Sequence, residues 1–365
     1  MRNYRFRYAM FLFVVAAALN VTSQTKINLW SANTPGAKGT AAADIPWIEI
    51  YKPSASAANG SAILVVPGGA YGMVVMSEAQ AARNYWLPKG FVVVVLSYRV
   101  APTYKYPVPM WDVKRAMRLV RSMAEEWNVD QKRIGVLGCS AGGHLASYLA
   151  THYDIGDPQA ADPIDRLHCR PDFSIFVYPV ITMDASFTHT QSRSNIIGNN
   201  PSNALVDSLS NEKQVTADTP PTFLVHGTVD NVVQVKNSQV FYDACVQHGV
   251  KAKFYRMTLS CGGHGFGYSC GNWGDTCYQW LKSSGCLDAT TSVRGAHRVS
   301  SVSANTGNGD YVLLDISGKI VGTEKNGGIS GHSALKLNHN TTGTFIVAKK
   351  IAGRYYPVGR RVLQR

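Results

Sequence analysis

Gly138-Cys139-Ser140-Ala141-Gly142 is a GxSxG pentapeptide holding a serine that could become a nucleophile. A lone hydroxyl attacks carbonyls poorly. It needs a base to take its proton and donors to stabilise the oxyanion that follows. At ~7% glycine or serine per position, roughly 0.1 such matches are expected by chance in a chain this long. The flanks add weight. Residues 133–137 read as a short strand and residues 141–151 as a helix. Ser140 is therefore expected on a tight strand-to-helix turn that exposes its hydroxyl. Gly138 and Gly142 fall where side chains would clash as the turn closes. The helix N-terminus directs free amides and a positive dipole end at the developing charge. An inert serine in a glycine-rich turn is the plainer reading of the same five residues.

An acid and a base follow in the required order. His226-Gly227-Thr228-Val229-Asp230 comes after one short apolar run, and Gly262-Gly263-His264-Gly265-Phe266-Gly267 after the last. The order Ser140, Asp230, His264 is that of an α/β-hydrolase triad. His264 would take the serine proton, and Asp230 would hold the imidazole in the right tautomer and stabilise its cation. Upstream, Pro67-Gly68-Gly69-Ala70-Tyr71 ends an early strand. The amides of Gly69, Ala70 and Ala141 are the expected oxyanion hole, although a plain strand-end turn would use the same residues. Tyr71, Tyr178 and Trp273 are expected at the rim as substrate-binding aromatics; each could equally serve the core. Among the ten histidines, His144 is expected to point into structure and His226 to end a strand. His152, His168 and His189 fall near predicted loops without an evident partner, and Asp218 and Asp243 are less well placed than Asp230.

These residues need a scaffold. Short β-branched runs at 63–66, 91–96, 133–137, 173–178, 222–225 and 252–255 alternate with helical patterns at 78–87, 110–127, 141–151 and 232–248. The alternation predicts an α/β fold: a mostly parallel sheet with helices on both faces. The unbroken FVVVVL at 91–96 is what a strand buried on both sides requires. Residues 180–217 break the rhythm and are expected to pass over the strand ends, where a lid or specificity loop would sit. The hydrolase domain is expected over 24–288 and a Ser/Gly/Asn/Thr-rich linker over 289–308. A small basic β-rich module is expected over 309–365, with strands near 311–314, 334–337 and 344–347.

Residues 1–23 have the pattern of a signal peptide: a basic start, the apolar AMFLFVVAAAL, then small residues before position 24. Export is the expectation, with a buried first helix as the other reading; no later run is long and apolar enough to span a bilayer. The net charge of +13 would suit nucleic acid, but its distribution argues otherwise. The leader carries three arginines and the last seventy residues a net +7, leaving only +3 between. No nucleic-acid motif accompanies it. Seven cysteines suit an oxidising compartment. Cys261 with Cys270 and Cys277 with Cys286 are candidate pairs, and Cys139 is expected free. No zinc-ligand spacing is present, and neither metal nor organic cofactor is expected.

Residues 61–71 (SAILVVPGGAY), 136–150 (VLGCSAGGHLASYLA), 170–183 (RPDFSIFVYPVITM), 192–198 (SRSNIIG) with Pro201-Ser202, 220–233 (PPTFLVHGTVDNVV) and 262–267 resemble one group of α/β-hydrolases. The group comprises bacterial serine esterases similar to acetylxylan esterases and to the feruloyl esterase/lipase branch, and the resemblance covers residues 55–285. It implies a carboxylic ester hydrolase with Ser140, Asp230 and His264 as triad, acting on acetylated or otherwise acylated plant cell-wall sugars. Pro67 stands where related hydrolases often have histidine in HGGG, Ala70 replaces the third glycine, and Val229 replaces a common aspartate. The tail at 311–320 and 343–349 looks like type IX sorting modules or a related basic terminal module. A contact with secretion machinery or cell surface follows from that likeness; a small appendage packed on the core is the alternative. The leading expectation is release of acetyl groups from xylan. A feruloyl esterase, a general short-chain carboxylesterase, a peptidase on the same scaffold and an inactive cell-wall-binding protein are the competing readings.

Overall fold

The structure, a computed structural model, describes residues 25–288 together with strand residues 311–314, 320–324, 336–337, 343–351 and 354–363. The expected leader at 1–23 and linker at 289–308 lie outside the described residues. Eight strands form the main sheet: β1 Thr25–Asn28, β2 Trp47–Tyr51, β3 Ala62–Val66, β4 Val92–Ser97, β5 Ile134–Cys139, β6 Ser174–Val177, β7 Thr222–Gly227 and β8 Ala252–Met257. Their spatial order is β1-β2-β4-β3-β5-β6-β7-β8. β2 is antiparallel to both neighbours, and every pair from β4 to β8 is parallel.

Because side chains alternate across a strand, each central strand feeds two cores. Leu64 and Val66 join one core with Ala116, Val120, Leu145 and Phe241. Those partners come from α2 Val108–Ser122, α3 Ser140–Thr151 and α6 Lys236–Gln247. Ile63 and Val65 face the other core with Ala79, Trp86, Trp273 and Leu281, supplied by α1 Met76–Trp86 and α7 Trp273–Ser283. The two-sided burial explains the unbroken apolar runs of β3 and β4.

Residues 180–217 include two short helices, α4 Thr190–Ile197 and α5 Asn203–Leu209. The sequence pattern does not anticipate β1, β2 or α7. β1 is an exposed edge strand, with too little apolar periodicity to stand out. The helix expected over 110–127 begins earlier and ends at Ser122.

A buried ion pair fixes the chain beyond β4. The Arg99 guanidinium donates to Asp112 at 2.6 Å and to the Pro35 carbonyl at 2.7 Å. Ala101 then donates its amide to the Tyr71 carbonyl at 2.8 Å, tying this segment to the loop after β3. The five C-terminal strands form a separate antiparallel sheet, ordered 336–337, 320–324, 311–314, 343–351, 354–363. Among the described residues, no helix is long and apolar enough to cross a membrane.

Candidate active site

β5 ends at Cys139 and α3 begins at Ser140, with no residue between. The turn forces Ser140 to φ 53°, the left-handed region that side chains avoid. Such strain persists only where packing dictates it. The packing here is backbone on backbone. A Cβ on Gly142 would lie 2.1 Å from the Val66 carbonyl oxygen, and one on Gly138 would lie 2.3 Å from that of Gly142. Only hydrogen at both positions lets α3 start this close to β3 and β5.

Parallel pairing brings the other residues to the same edge. Register partners Gly138↔Phe176 and Val177↔Val225 align the carboxyl ends of β5, β6 and β7. Asp230 follows β7 and His264 follows β8. The structure places the Ser140 Oγ 2.9 Å from His264 Nε2, and His264 Nδ1 2.8 Å from Asp230 Oδ2. A carboxylate only accepts, so Nδ1 carries the proton and Nε2 is free to accept from the serine. Asp230 Oδ1 accepts the amides of Val232 and Val233, both at 2.9 Å. Burial pushes the Asp230 carboxyl up. Hydrogen bonds from His226, His264 and Val233 outweigh that and hold it well below the usual carboxylate range. His226 donates from Nε2 to the Val233 carbonyl at 2.9 Å, with Asp230 Oδ2 at 3.3 Å. Its Nδ1 accepts from Ser238 Oγ at 2.8 Å.

The loop after β3 turns sharply: Gly69, Ala70 and Tyr71 have φ 123°, 52° and 59°. A Cβ on Gly69 would meet the Met73 carbonyl at 2.2 Å. The Gly69 carbonyl accepts from Gly72 and Met73. Among the described residues the amides of Gly69, Ala70 and Ala141 make no hydrogen bond outside the helices' own. The loop lies against the nucleophile, since a Cβ on Gly68 would come within 2.8 Å of Ser140 Cβ.

Two residues that sequence reasoning misses hold this loop. Asn195 on α4 donates to the Ala70 carbonyl at 2.7 Å. Glu78 on α1 accepts the Gly68 amide at 2.6 Å through one carboxyl oxygen and the Tyr178 hydroxyl at 3.1 Å through the other. A glutamate in the first turn of a helix is ordinarily a solvated residue favoured by the dipole, so its pattern carries no warning.

The rim aromatics require correction. Tyr71, Tyr178 and Trp273 are all buried. Tyr71 donates to His144 Nδ1 at 2.7 Å, and His144 Nε2 donates to the Leu209 carbonyl at 2.8 Å. Trp273 donates to the Gly267 carbonyl and stacks near Tyr268. Tyr178 touches the site from beneath, its ring centroid 4.8 Å from that of His264. Tyr71 ends up inside one core against Tyr98 and His144, whereas Tyr178 and Trp273 lie in the core on the other face of the sheet. His189, expected to lack a partner, bonds Ser192 Oγ at 2.8 Å. Cys261 and Cys270 are bonded, whereas Cys277 and Cys286 are both free and buried, as are Cys139, Cys169 and Cys245. Cys277 faces the core from α7. Among the described residues no group of histidines, cysteines and carboxylates could hold a metal.

A serine, histidine and aspartate in hydrogen-bonded series, at the carboxyl edge of a mostly parallel sheet, define an α/β-hydrolase. The BD-FAE family model matches residues 48–245, more than half of the chain, and the chain belongs to that family. It is 38% identical to a solved acetyl ester-xyloside bifunctional hydrolase from Caldicellulosiruptor lactoaceticus, with TM-score 0.68, covering 72% of this chain and 97% of that one. It is 36% identical over 209 residues to endo-1,4-beta-xylanase B of Butyrivibrio fibrisolvens, covering 56% of this chain. It is 32% identical over 220 residues to an acetylxylan esterase of Xylanibacter ruminicola, covering 59% of this chain. The matches span only 32% and 42% of these two relatives' lengths. A carboxylesterase of Lactobacillus plantarum, 21% identical with TM-score 0.59 and covering 73% of this chain and 100% of that one, shares the fold.

Proposed function

We propose that this chain is a serine carboxylic ester hydrolase that removes acetyl groups from plant cell-wall polysaccharide through an acyl-enzyme. The observation that carries the reading is the unbroken series Ser140–His264–Asp230. The choice of acetylated xylan is supported by the relatives named acetylxylan esterase and acetyl ester-xyloside hydrolase.

In this reading His264 Nε2 takes the Ser140 proton as Oγ bonds to the ester carbonyl carbon. The oxyanion meets the amides of Gly69, Ala70 and Ala141. Collapse breaks the bond to the sugar oxygen, which leaves with the proton held on His264. Water then gives a proton to His264 and its oxygen to the acyl carbon. Acetate leaves, and the proton returns to Ser140. Asp230 stays ionised throughout, which suits a carboxyl held so far below its ordinary range. Exposed Met73, Val229 and Val232 lie on the loops that carry the site.

The test is a panel of acetylated xylan, feruloylated arabinoxylan and aryl esters of graded acyl length. Acetate release, with rates falling as the acyl chain lengthens, is the expected result; preference for ferulate or long acyl chains overturns the substrate assignment. Ser140→Ala is expected to lose roughly 10⁴–10⁶ in kcat. Export belongs to the same reading. It is supported by the leader pattern of residues 1–23 and by the Cys261–Cys270 bond. Sequencing the N-terminus of protein recovered from culture medium checks it, with residue 24 as the expected start.

A further inference from the structure

Glu78 is a half-buried acidic side chain behind a site whose proposed chemistry does not use it. Its two carboxyl oxygens divide between both halves of that site. One accepts from Gly68, the residue before Gly69 in the expected oxyanion loop, at 2.6 Å. The other accepts from the Tyr178 hydroxyl at 3.1 Å. Tyr178, held at φ 37°, lays its ring against the imidazole of His264. A Cβ on Gly68 would lie 2.8 Å from Ser140 Cβ and 2.9 Å from Glu78 Oε2, so the carboxyl lies just behind the nucleophile.

Resting on the esterase reading above, we propose that Glu78 is a positioning residue. It pins the oxyanion loop and Tyr178 in one arrangement, and it places a second anion behind the imidazole that becomes a cation during turnover.

Burial raises the Glu78 carboxyl above its ordinary value and outweighs the Gly68 amide, the Tyr178 hydroxyl and the His264 ring, which favour the ionised form. Tyr98, Cys139 and Tyr178 face it from the ends of β4, β5 and β6. Burial pushes all three upward, so they stay neutral near pH 7. His264 itself faces Asp230, Glu78, Tyr178 and His189. Asp230 orients the ring through Nδ1; Glu78 acts from behind without touching it. A second anion on that side stabilises the imidazolium that forms during turnover, so its removal is expected to lower kcat rather than raise KM.

The experiment measures kcat and KM for the full chain on an aryl acetate. Wild type that hydrolyses no ester fails the underlying reading, not this one. With active wild type, Glu78→Gln keeps the shape and loses the charge. It is expected to lower kcat about tenfold or more with KM little changed. Glu78→Asp keeps the charge and loses the reach, so it recovers part of that kcat. The proposal is overturned if the Gln variant keeps wild-type kcat, if the loss falls on KM instead, or if the Asp variant is no better than the Gln variant. Should the Gln variant fail to fold by thermal melt, Tyr178→Phe, which removes one donor from the carboxyl, must lower kcat by less with KM little changed. An unchanged kcat there overturns it equally.

Discussion

Ser140 Oγ and His264 Nε2 are 2.9 Å apart, yet the chain immediately around each is packed differently. Around Ser140, added methyl groups at Gly138 or Gly142 would run into backbone oxygens at 2.3 and 2.1 Å. Around His264, a Cβ on Gly263, Gly265 or Gly267 would meet nothing within 4 Å. The serine turn is held by its immediate neighbours in sequence and sheet. The histidine loop is held at separate points: the Gly262 carbonyl against Gly227, where a Cβ would come within 1.7 Å, the Cys261–Cys270 bond, Trp273 on the Gly267 carbonyl, Phe266 against Tyr178, and the imidazole on Asp230. A nucleophile can thus be placed by local crowding, while its base is placed by tethers.

The strongest way to break this comparison is Gly142→Ala. It should cost about 4 kcal/mol or more in urea unfolding, because neither the Val66 carbonyl nor α3 can withdraw without separating strand from helix. A stable, active variant would show that the turn is not crowded after all.

Acid sharpens the comparison next. On the serine side, His144 supports Tyr71, and burial lowers the imidazole to about 4. The folded form therefore binds its proton later than the unfolded chain does. Stability from this residue is complete above about pH 6.5 and falls as pH drops toward 4, by about 3 kcal/mol in total. Asp230, on the histidine side, is depressed instead. Its contribution is complete above the ordinary carboxyl value near 4 and is lost only below it. Denaturant melts as a function of pH should show the first loss, and His144→Gln should flatten it.

Removing the tether by a double Cys261→Ser, Cys270→Ser change opens a loop of nine-residue separation. Chain entropy puts that at about 2.5 kcal/mol at 25 °C. Calorimetry measures the loss, and kcat should fall with it as His264 gains freedom. The smallest effect is expected at Gly263→Ala, within about 0.5 kcal/mol, since the position has open space and no positive φ. A large loss there would mean that the histidine loop is crowded as well, and the contrast with the serine turn would vanish.

The difference between the loops also explains which residues reveal themselves in the sequence. Ser140 and His264 sit among glycines, and Asp230 follows Gly227 just after a strand, so backbone requirements mark them locally. The strands from β3 to β7 show through because burial on both faces demands apolar runs. Glu78 and Asn195 carry no such mark. Each is a common polar residue on a helix, and its partner lies 10 or 125 residues away in sequence. The aromatics mislead for a related reason. Tyr71 and Tyr178 follow strand ends and Trp273 opens α7, but only the packing of the two cores and the hydrogen bonds of these rings settle that they face inward. Cysteine spacing does not separate the bonded Cys261–Cys270 pair from Cys277 and Cys286, because α7 aims one of the latter into the core.

By itself the sequence determined the order of the strands from β3 to β8 with the helices α1, α2, α3 and α6 between them, the sharp turn at Ser140 and the chemical types of the three residues in series, since propensity, periodicity and glycine requirements act over short stretches of chain. Tertiary structure decided which oxygen faces which nitrogen, that a glutamate from α1 reaches under the site, and which rings are core. Those outcomes depend on parallel strands aligning their carboxyl ends, which brings residues over a hundred positions apart within hydrogen-bonding distance.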